Sequence, residues 1–257
     1  VKNRDDRKAR KGRRARKGRG AGESAPRRDE TGGQVAWEWV KSGLIALVLY
    51  FLIRTFLLQT FVITSGSMEP TLLVGDFLMV NRAAIGTRLP GSSARIPGYS
   101  EPHRWDVIVF DPPHEEELML VKRLVGMPGD TLSMKDKVLY VNGRPQEEPW
   151  VRNRQGSQDE SHPWMAWQLD YLVDTVDRTT YRPTRDDWGP IVVPPGHYFM
   201  LGDNRDSSLD SRYWGLLERW RLEGRAVFIY FSYERDSPRP FPWLREVRWG
   251  RIGNGIQ

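Results

Sequence analysis

Hydrophobic and polar positions divide the chain into three unequal regions. Residues 1–34 hold almost nothing apolar and cannot bury a core, so the pattern predicts a disordered segment. From Val35 the character reverses. Gly43–Ile53 (GLIALVLYFLI) carries no charge, and apolar residues extend back through Val35, Ala36 and Trp37 and forward to Ile63. Glu38, Lys41, Arg54 and Gln59 interrupt them. About 20 residues cross a hydrocarbon core of roughly 30 Å. A span near residues 36–56 meets that length if Lys41 and Arg54 snorkel to the two interfaces, and 35–58 is expected as a retained membrane-spanning helix. A cleavable signal peptide with an 11-residue apolar core and a buried helix are the competing readings. The long charged lead and the lack of an A-x-A site after the run speak against the signal peptide.

The remainder, 59–257, reads as strands. Asp76–Asn81 is a short apolar run closed by polar residues, and a Gly/Pro/Ser-rich loop follows from Gly86 to Pro102. Trp105–Phe110 is a second strand, ended by Asp111-Pro112-Pro113, and Leu118–Val125 a third, stopped by Gly126-Met127-Pro128-Gly129-Asp130. Val138–Val141 before Asn142-Gly143 predicts the first arm of a hairpin. Residues 146–190 are polar, Pro-rich and weakly periodic; they are expected as a surface insertion with one strand near Tyr171–Val176. Strand signals resume at Ile191–Val193, His197–Leu201 and Ala226–Ser232. Regular strands with Pro/Gly punctuation predict a mainly β fold, an antiparallel ectodomain behind one helix.

Charge sharpens this division. Residues 1–30 carry 13 Lys/Arg against 5 Asp/Glu, whereas the rest of the chain holds 26 against 28. The net charge of +6 is therefore a property of the tail, and the body is near neutral, which argues against nucleic acid as a partner of the body. A basic tail beside an apolar span keeps to the cytoplasmic side and places the β domain outside. With no cysteine in the chain, disulfides and thiolate metal sites are excluded. Aromatics (Phe228, Tyr230, Phe231, Tyr233, Phe241, Trp243, Trp249) interleave with Arg239, Arg245, Arg248 and Arg251 near the C-terminus. That pattern suits a β core with partial contact to lipid headgroups.

Candidate chemistry begins at Thr64-Ser65-Gly66-Ser67-Met68-Glu69-Pro70-Thr71-Leu72, where small hydroxyl residues flank a glycine just beyond the apolar run. This is either a linker or a tight turn that exposes Ser67 as a nucleophile. In the third strand, period-two alternation puts Lys122 on one face with Leu118, Leu120 and Leu124, and Arg123 on the other. A free lysine is neutral only about once in 2,500 at pH 7, a penalty of roughly 4.6 kcal/mol for work as a base. Burial between leucines lowers that penalty, which gives the strand lysine a second reading beside that of a solvated edge residue. No G-x-S-x-G or H-E-x-x-H occurs, and the four histidines sit in Pro-rich or turn contexts. The run Gly202–Gly215 (GDNRDSSLDSRYWG) fails as a calcium loop: Arg205, Ser208 and Trp214 occupy positions that need a ligand, a glycine and a glutamate. Its density of Asp, Ser and Arg instead predicts a fixed network in which Asp210 and Arg212 pair and Ser208 holds a lysine amine.

Taken in series, Ser65–Leu72, Gly75–Val80, Val121–Asp130 and Gly202–Gly215 resemble bacterial type I signal peptidase, a membrane-bound serine protease that removes signal peptides from exported preproteins. The resemblance covers about residues 36–145 and 191–253. It implies Ser67 as nucleophile and Lys122 as general base. The oxyanion would be held by the Ser67 N–H and the Ser65 hydroxyl, with Ser208 orienting the lysine and Asp210–Arg212 behind it. Asp203 and Arg205 would belong to the surrounding structural network. Thr64 stands where many members have proline. The resemblance further implies a single-pass plasma-membrane enzyme with its catalytic domain extracytoplasmic and with preproteins, phospholipid and the export translocon as partners. It implies no cofactor and no metal. Expected pocket walls for small substrate residues are Phe61, Ile63, Met68 and Leu118–Leu124. Two readings stay open beside it: a non-enzymatic anchored β domain, and a LexA-like self-cleaving Ser/Lys protease.

Overall fold

The computed structural model describes residues 32–88, 94–114, 118–153 and 159–256, so the expected disordered tail lies outside it except for Gly32–Gln34. Two compact units divide the chain at Ala46/Leu47. Helix α1 (Gly32–Leu52) is continued by one π-helical turn, Ile53–Leu57. Apart from Ala46, the apolar residues from Leu44 of the helix to Ile53 of the turn are all exposed. No helix among the described residues is both long and apolar enough to cross a membrane.

From Leu58 onward the chain is mainly β. Its strands are β1 (Leu58–Val62), β2 (Asp76–Asn81), β3 (Gly86–Arg88), β4 (Arg95–Pro97), β5 (Val107–Phe110), β6 (Leu120–Gly126), β7 (Thr131–Lys135), β8 (Val138–Val141), β9 (Arg144–Pro145), β10 (Trp188–Val192), β11 (His197–Leu201), β12 (Leu217–Glu218) and β13 (Leu222–Ser232). One sheet has the order β1-β2-β13-β5-β6-β11-β12, a second β10-β7-β8-β9, and β3-β4 is a small separate hairpin. The strand ladders among the described residues are all antiparallel. The predicted hairpin is present: β8 returns into β9 through Asn142 and Gly143, both at positive φ, the conformation that an Asn-Gly turn supplies.

Hydrophobic burial explains why β5 reads as an unbroken apolar run. Val107 and Val109 enter one cluster with Ile63, Met68, Leu72, Leu78 and Ile229, while Ile108 and Phe110 enter another with Leu124, Met200 and Leu222. Covered on both faces, the strand has no polar alternation to show. A third cluster joins Val125, Leu132, Leu139, Phe199 and Leu201. Here the stretch 146–190 departs from expectation. Met165, Leu172 and Trp188 are part of this third cluster, so the segment is a core component as well as surface. Scattered single apolar residues inside a polar sequence hid it. The strand expected near Tyr171–Val176 is absent as such: a 3-10 segment, Pro163–Tyr171, leads to one isolated bridge between Leu172 and Ile191.

Candidate active site

The turn between β1 and β2 holds Ser67 in a short 3-10 segment, Gly66–Met68. Met68 and Leu72, both just after the serine, anchor it by entering the same core cluster. Gly75, at positive φ, lets the chain pass the Tyr233 carbonyl on its way into β2, where a Cβ would collide. Asp76 then locks the loop: it accepts from Leu73 N–H at 2.8 Å, from Ser232 Oγ at 2.6 Å and from Arg251 at 2.5 and 3.0 Å. Arg251 and Arg248 also donate to the carbonyls of Thr71 and Val74. The C-terminal segment thus clamps the loop that presents the serine.

Across the sheet, β6 presents Lys122. Its Nζ lies 2.6 Å from Ser67 Oγ in a buried hydrogen bond, and only 3% of the lysine remains exposed. Burial is the largest influence on the amine and pushes its pKa down to about 8. Asp210 and Asp203 act in the opposite sense, and Arg212 in the same sense as burial. Ser65 Oγ is 3.4 Å from Ser67 Oγ. Beside the pair runs a small cleft of about 160 Å³, lined by Val62–Ser65, Ser67, Met68 and Leu118–Lys122. Of the expected walls, Phe61 instead packs against the core cluster beneath.

The run after β11 surrounds this pair. Asp210 accepts from Arg212 Nε and Nη2, both at 2.8 Å, and from Gly202 N–H at 3.0 Å. Burial opposes the Asp210 carboxylate, but the Arg212 charge and hydrogen bonds outweigh it and hold the pKa below the usual range. Asp203 takes a two-pronged grip from Arg123, at 2.8 and 2.7 Å, and accepts from Thr71 Oγ1 at 2.5 Å. Arg205 pairs with Glu148 through both terminal nitrogens. Ser208 differs from expectation. Its Oγ is buried and makes no hydrogen bond to Lys122, but it bears on the Asp210 carboxylate, whose pKa it helps to lower. Gly202 explains its closeness to the site: a Cβ there would stand 2.5 Å from the Ser67 carbonyl oxygen and nearer still to the Ser208 hydroxyl.

Three further residues escaped the sequence reading. Asn204 holds the Ser67 turn twice, donating through Nδ2 to the Gly66 carbonyl and through its N–H to that of Ser67. Arg123 stacks on Trp150 while gripping Asp203. Glu148 matches the buried charge of Arg205. Asn204 stood inside a recognised run; the pairings of Arg123 and Glu148 span 80 and 57 residues, with no local signal.

A hydroxyl hydrogen-bonded to a desolvated amine, beside a small cleft lined by both polar and apolar side chains, is equipped for acyl transfer by a serine hydrolase that uses lysine in place of histidine. The comparisons agree in class. A model described as "Signal peptidase, peptidase S26" matches residues 36–231, and the chain belongs to that family. It is 38% identical to Signal peptidase I of Pseudomonas aeruginosa over 224 residues, covering 82% of this chain and 78% of that protein. Signal peptidase I of Bacillus licheniformis is 36% identical over 199 residues, 77% of this chain and 89% of that protein. A solved signal peptidase I from Enterococcus faecalis V583 aligns at 31% identity over 49% of this chain and 97% of that chain, with a TM-score of 0.33. The chain is therefore a peptidase, and family membership sets aside the non-enzymatic and self-cleaving alternatives.

Proposed function

We propose that this peptidase cleaves signal peptides from exported preproteins with Ser67 as nucleophile and Lys122 as general base. The 2.6 Å contact between Lys122 Nζ and Ser67 Oγ, buried together, carries the reading. In its neutral form the amine accepts the Ser67 proton as the oxygen attacks the scissile carbonyl, then returns it to the departing amine of the mature chain. The second half-reaction repeats the step with water. The Ser67 N–H and the Ser65 hydroxyl are assigned to the oxyanion. Asp210 and Arg212 fix the charge next to the lysine, Asp203 and Arg205 tie the surrounding loops together, and Ser208 fills the space behind the pair. The cleft beside Ser67, walled by Ile63, Met68 and Leu118–Val121, suits small apolar residues on the signal-peptide side of the cut.

We further propose that α1 is the anchor. Its uninterrupted exposed apolar surface from Leu47 to Ile53 needs cover, and lipid supplies it. The exposed Phe241, Trp243, Leu244 and Trp249 are assigned to the headgroup region of the same plasma membrane. The tail then lies in the cytoplasm and the β domain outside, where export through a translocon delivers the substrate. An anchor ending at Leu52, 15 residues before Ser67, tethers the nucleophile to the membrane that carries the substrate and raises their effective concentration.

Preprotein cleavage in detergent or liposomes tests the chemistry. Ser67→Ala and Lys122→Ala each lose at least about 10³-fold in kcat/KM while remaining folded, and full turnover by either removes the dyad. Protease protection in membrane vesicles tests the topology: the tail is expected to be shielded and the β domain digested.

A further inference from the structure

No motif of the sequence analysis falls in residues 146–190, yet three residues of this stretch converge on Arg212. Trp167 Nε1 donates to the Arg212 carbonyl at 3.2 Å, and Gln168 Nε2 donates to the same oxygen at 3.1 Å. At the other end, the Arg212 guanidinium donates through Nη1 to the Arg185 carbonyl at 3.4 Å. Gln168 is fully buried. Its Oε1 accepts from the Tyr181 hydroxyl at 2.6 Å, and that hydroxyl in turn accepts from Gly189 N–H at 2.7 Å. A buried amide costs free energy unless both of its ends are partnered. Here both are, which fixes the amide in one orientation.

The segment is itself firmly held. Met165, Leu172 and Trp188 seat it in the cluster that includes Val125 of β6, three residues beyond Lys122. Arg185 pairs with Asp186 and Asp206, and Lys137 of the β7–β8 turn reaches both carboxylates. What the segment grips is a rigid point on the far side of Asp210.

We propose that residues 163–185 are a positioning element for the reaction: holding Arg212 at its carbonyl and at its guanidinium, they keep the Asp210–Arg212 pair in register with Lys122. The proposal rests on the assignment of Lys122 as base. Asp210 and Asp203 favour the charged form of that lysine, and Arg212 and burial favour the neutral form. Arg212 is in turn faced by Asp210, Tyr213 and Arg185. When Arg212 loosens, Asp210 is less neutralised, and its charge then favours the ammonium over the free amine. The acid limb of the reaction must therefore move to higher pH.

The test is the pH profile of kcat/KM on a signal-peptide-bearing preprotein, measured with the full chain in detergent. Gln168→Met, Trp167→Phe and Tyr181→Phe are compared with the exposed Trp164→Phe on the same 3-10 segment. The first three move the acid limb upward by about half a pH unit, lose roughly threefold at pH 7, and recover at alkaline pH. Trp164→Phe leaves the limb in place. A merely structural segment would lower activity equally at every pH, and an unmoved limb in folded variants overturns the proposal. If Gln168→Met fails to fold, Trp167→Phe and Tyr181→Phe carry the same decision. Activity surviving in Ser67→Ala or Lys122→Ala would refute the dyad itself, an outcome separate from an unmoved limb in an enzyme that those substitutions silence.

Discussion

Replacing Lys122 with methionine should destroy activity and strengthen the fold. The amine is buried, and burial brings its pKa from 10.5 to about 8. Because the folded value lies below the unfolded one, folding carries a penalty that is complete below pH 8 and fades as pH rises towards 10.5. At pH 7 it amounts to about 3 kcal/mol. The same shift makes the amine neutral roughly one time in ten at pH 7, against about one in 2,500 for an ordinary lysine, which is what a general base would gain. Methionine matches the stem, removes the charge and forfeits one hydrogen bond to Ser67, at about 1 kcal/mol. The net gain is about 2 kcal/mol, or roughly 4–8 °C in Tm for a body of this size. Thermal unfolding of parent and Lys122→Met, from pH 7 to pH 10, measures it. The variant unfolds higher at pH 7, and the gap narrows with rising pH. A variant less stable at pH 7, or a gap indifferent to pH, would show that the lysine is not held against its charge.

Other outcomes follow from neighbouring contacts. Gly202→Ala drives a methyl into the Ser67 carbonyl and the Ser208 hydroxyl, and kcat falls about 10²-fold in a preprotein assay, consistent with an ångström of misplacement. Asp203→Asn removes the carboxylate that Arg123 grips in the interior and destabilises by about 3 kcal/mol in urea unfolding. Ile63→Ala widens the cleft beside Ser67 and relaxes discrimination against leucine in place of alanine before the cut about tenfold, read as a ratio of kcat/KM values.

What the sequence disclosed depended on whether a signal was local. β2 and β11 match their predicted limits because each is an apolar run closed by polar or turn residues. The Asn142-Gly143 turn announced its own geometry. β1 was not separable from the helix before it, since one continuous apolar run does not mark where period 3.6 gives way to period 2. β7 carries only Leu132 and Met134 between polar neighbours, and the loop expected over Gly86–Pro102 conceals the β3–β4 hairpin. At the site, Ser67, Lys122 and the Asp210–Arg212 pair stood in recognisable runs. Asp203 and Arg205 could be named, but not their partners Arg123 and Glu148, because pairing between distant segments leaves no trace in either one. The hydrogen bond expected from Ser208 to the amine is not made, and Phe61, expected as a pocket wall, turns to the core instead.

The position of β13 has a consequence for how the molecule comes into being. It lies between β2, which carries the serine turn on its near end, and β5, which pairs with the lysine strand β6. Residues 222–232 are thus the wedge through which the two parts of the sheet are joined, and the ribosome delivers them last of its strands, well after both Ser67 and Lys122. A nascent chain stopped short of them holds Ser67 and Lys122 without the strand that joins their two parts of the sheet.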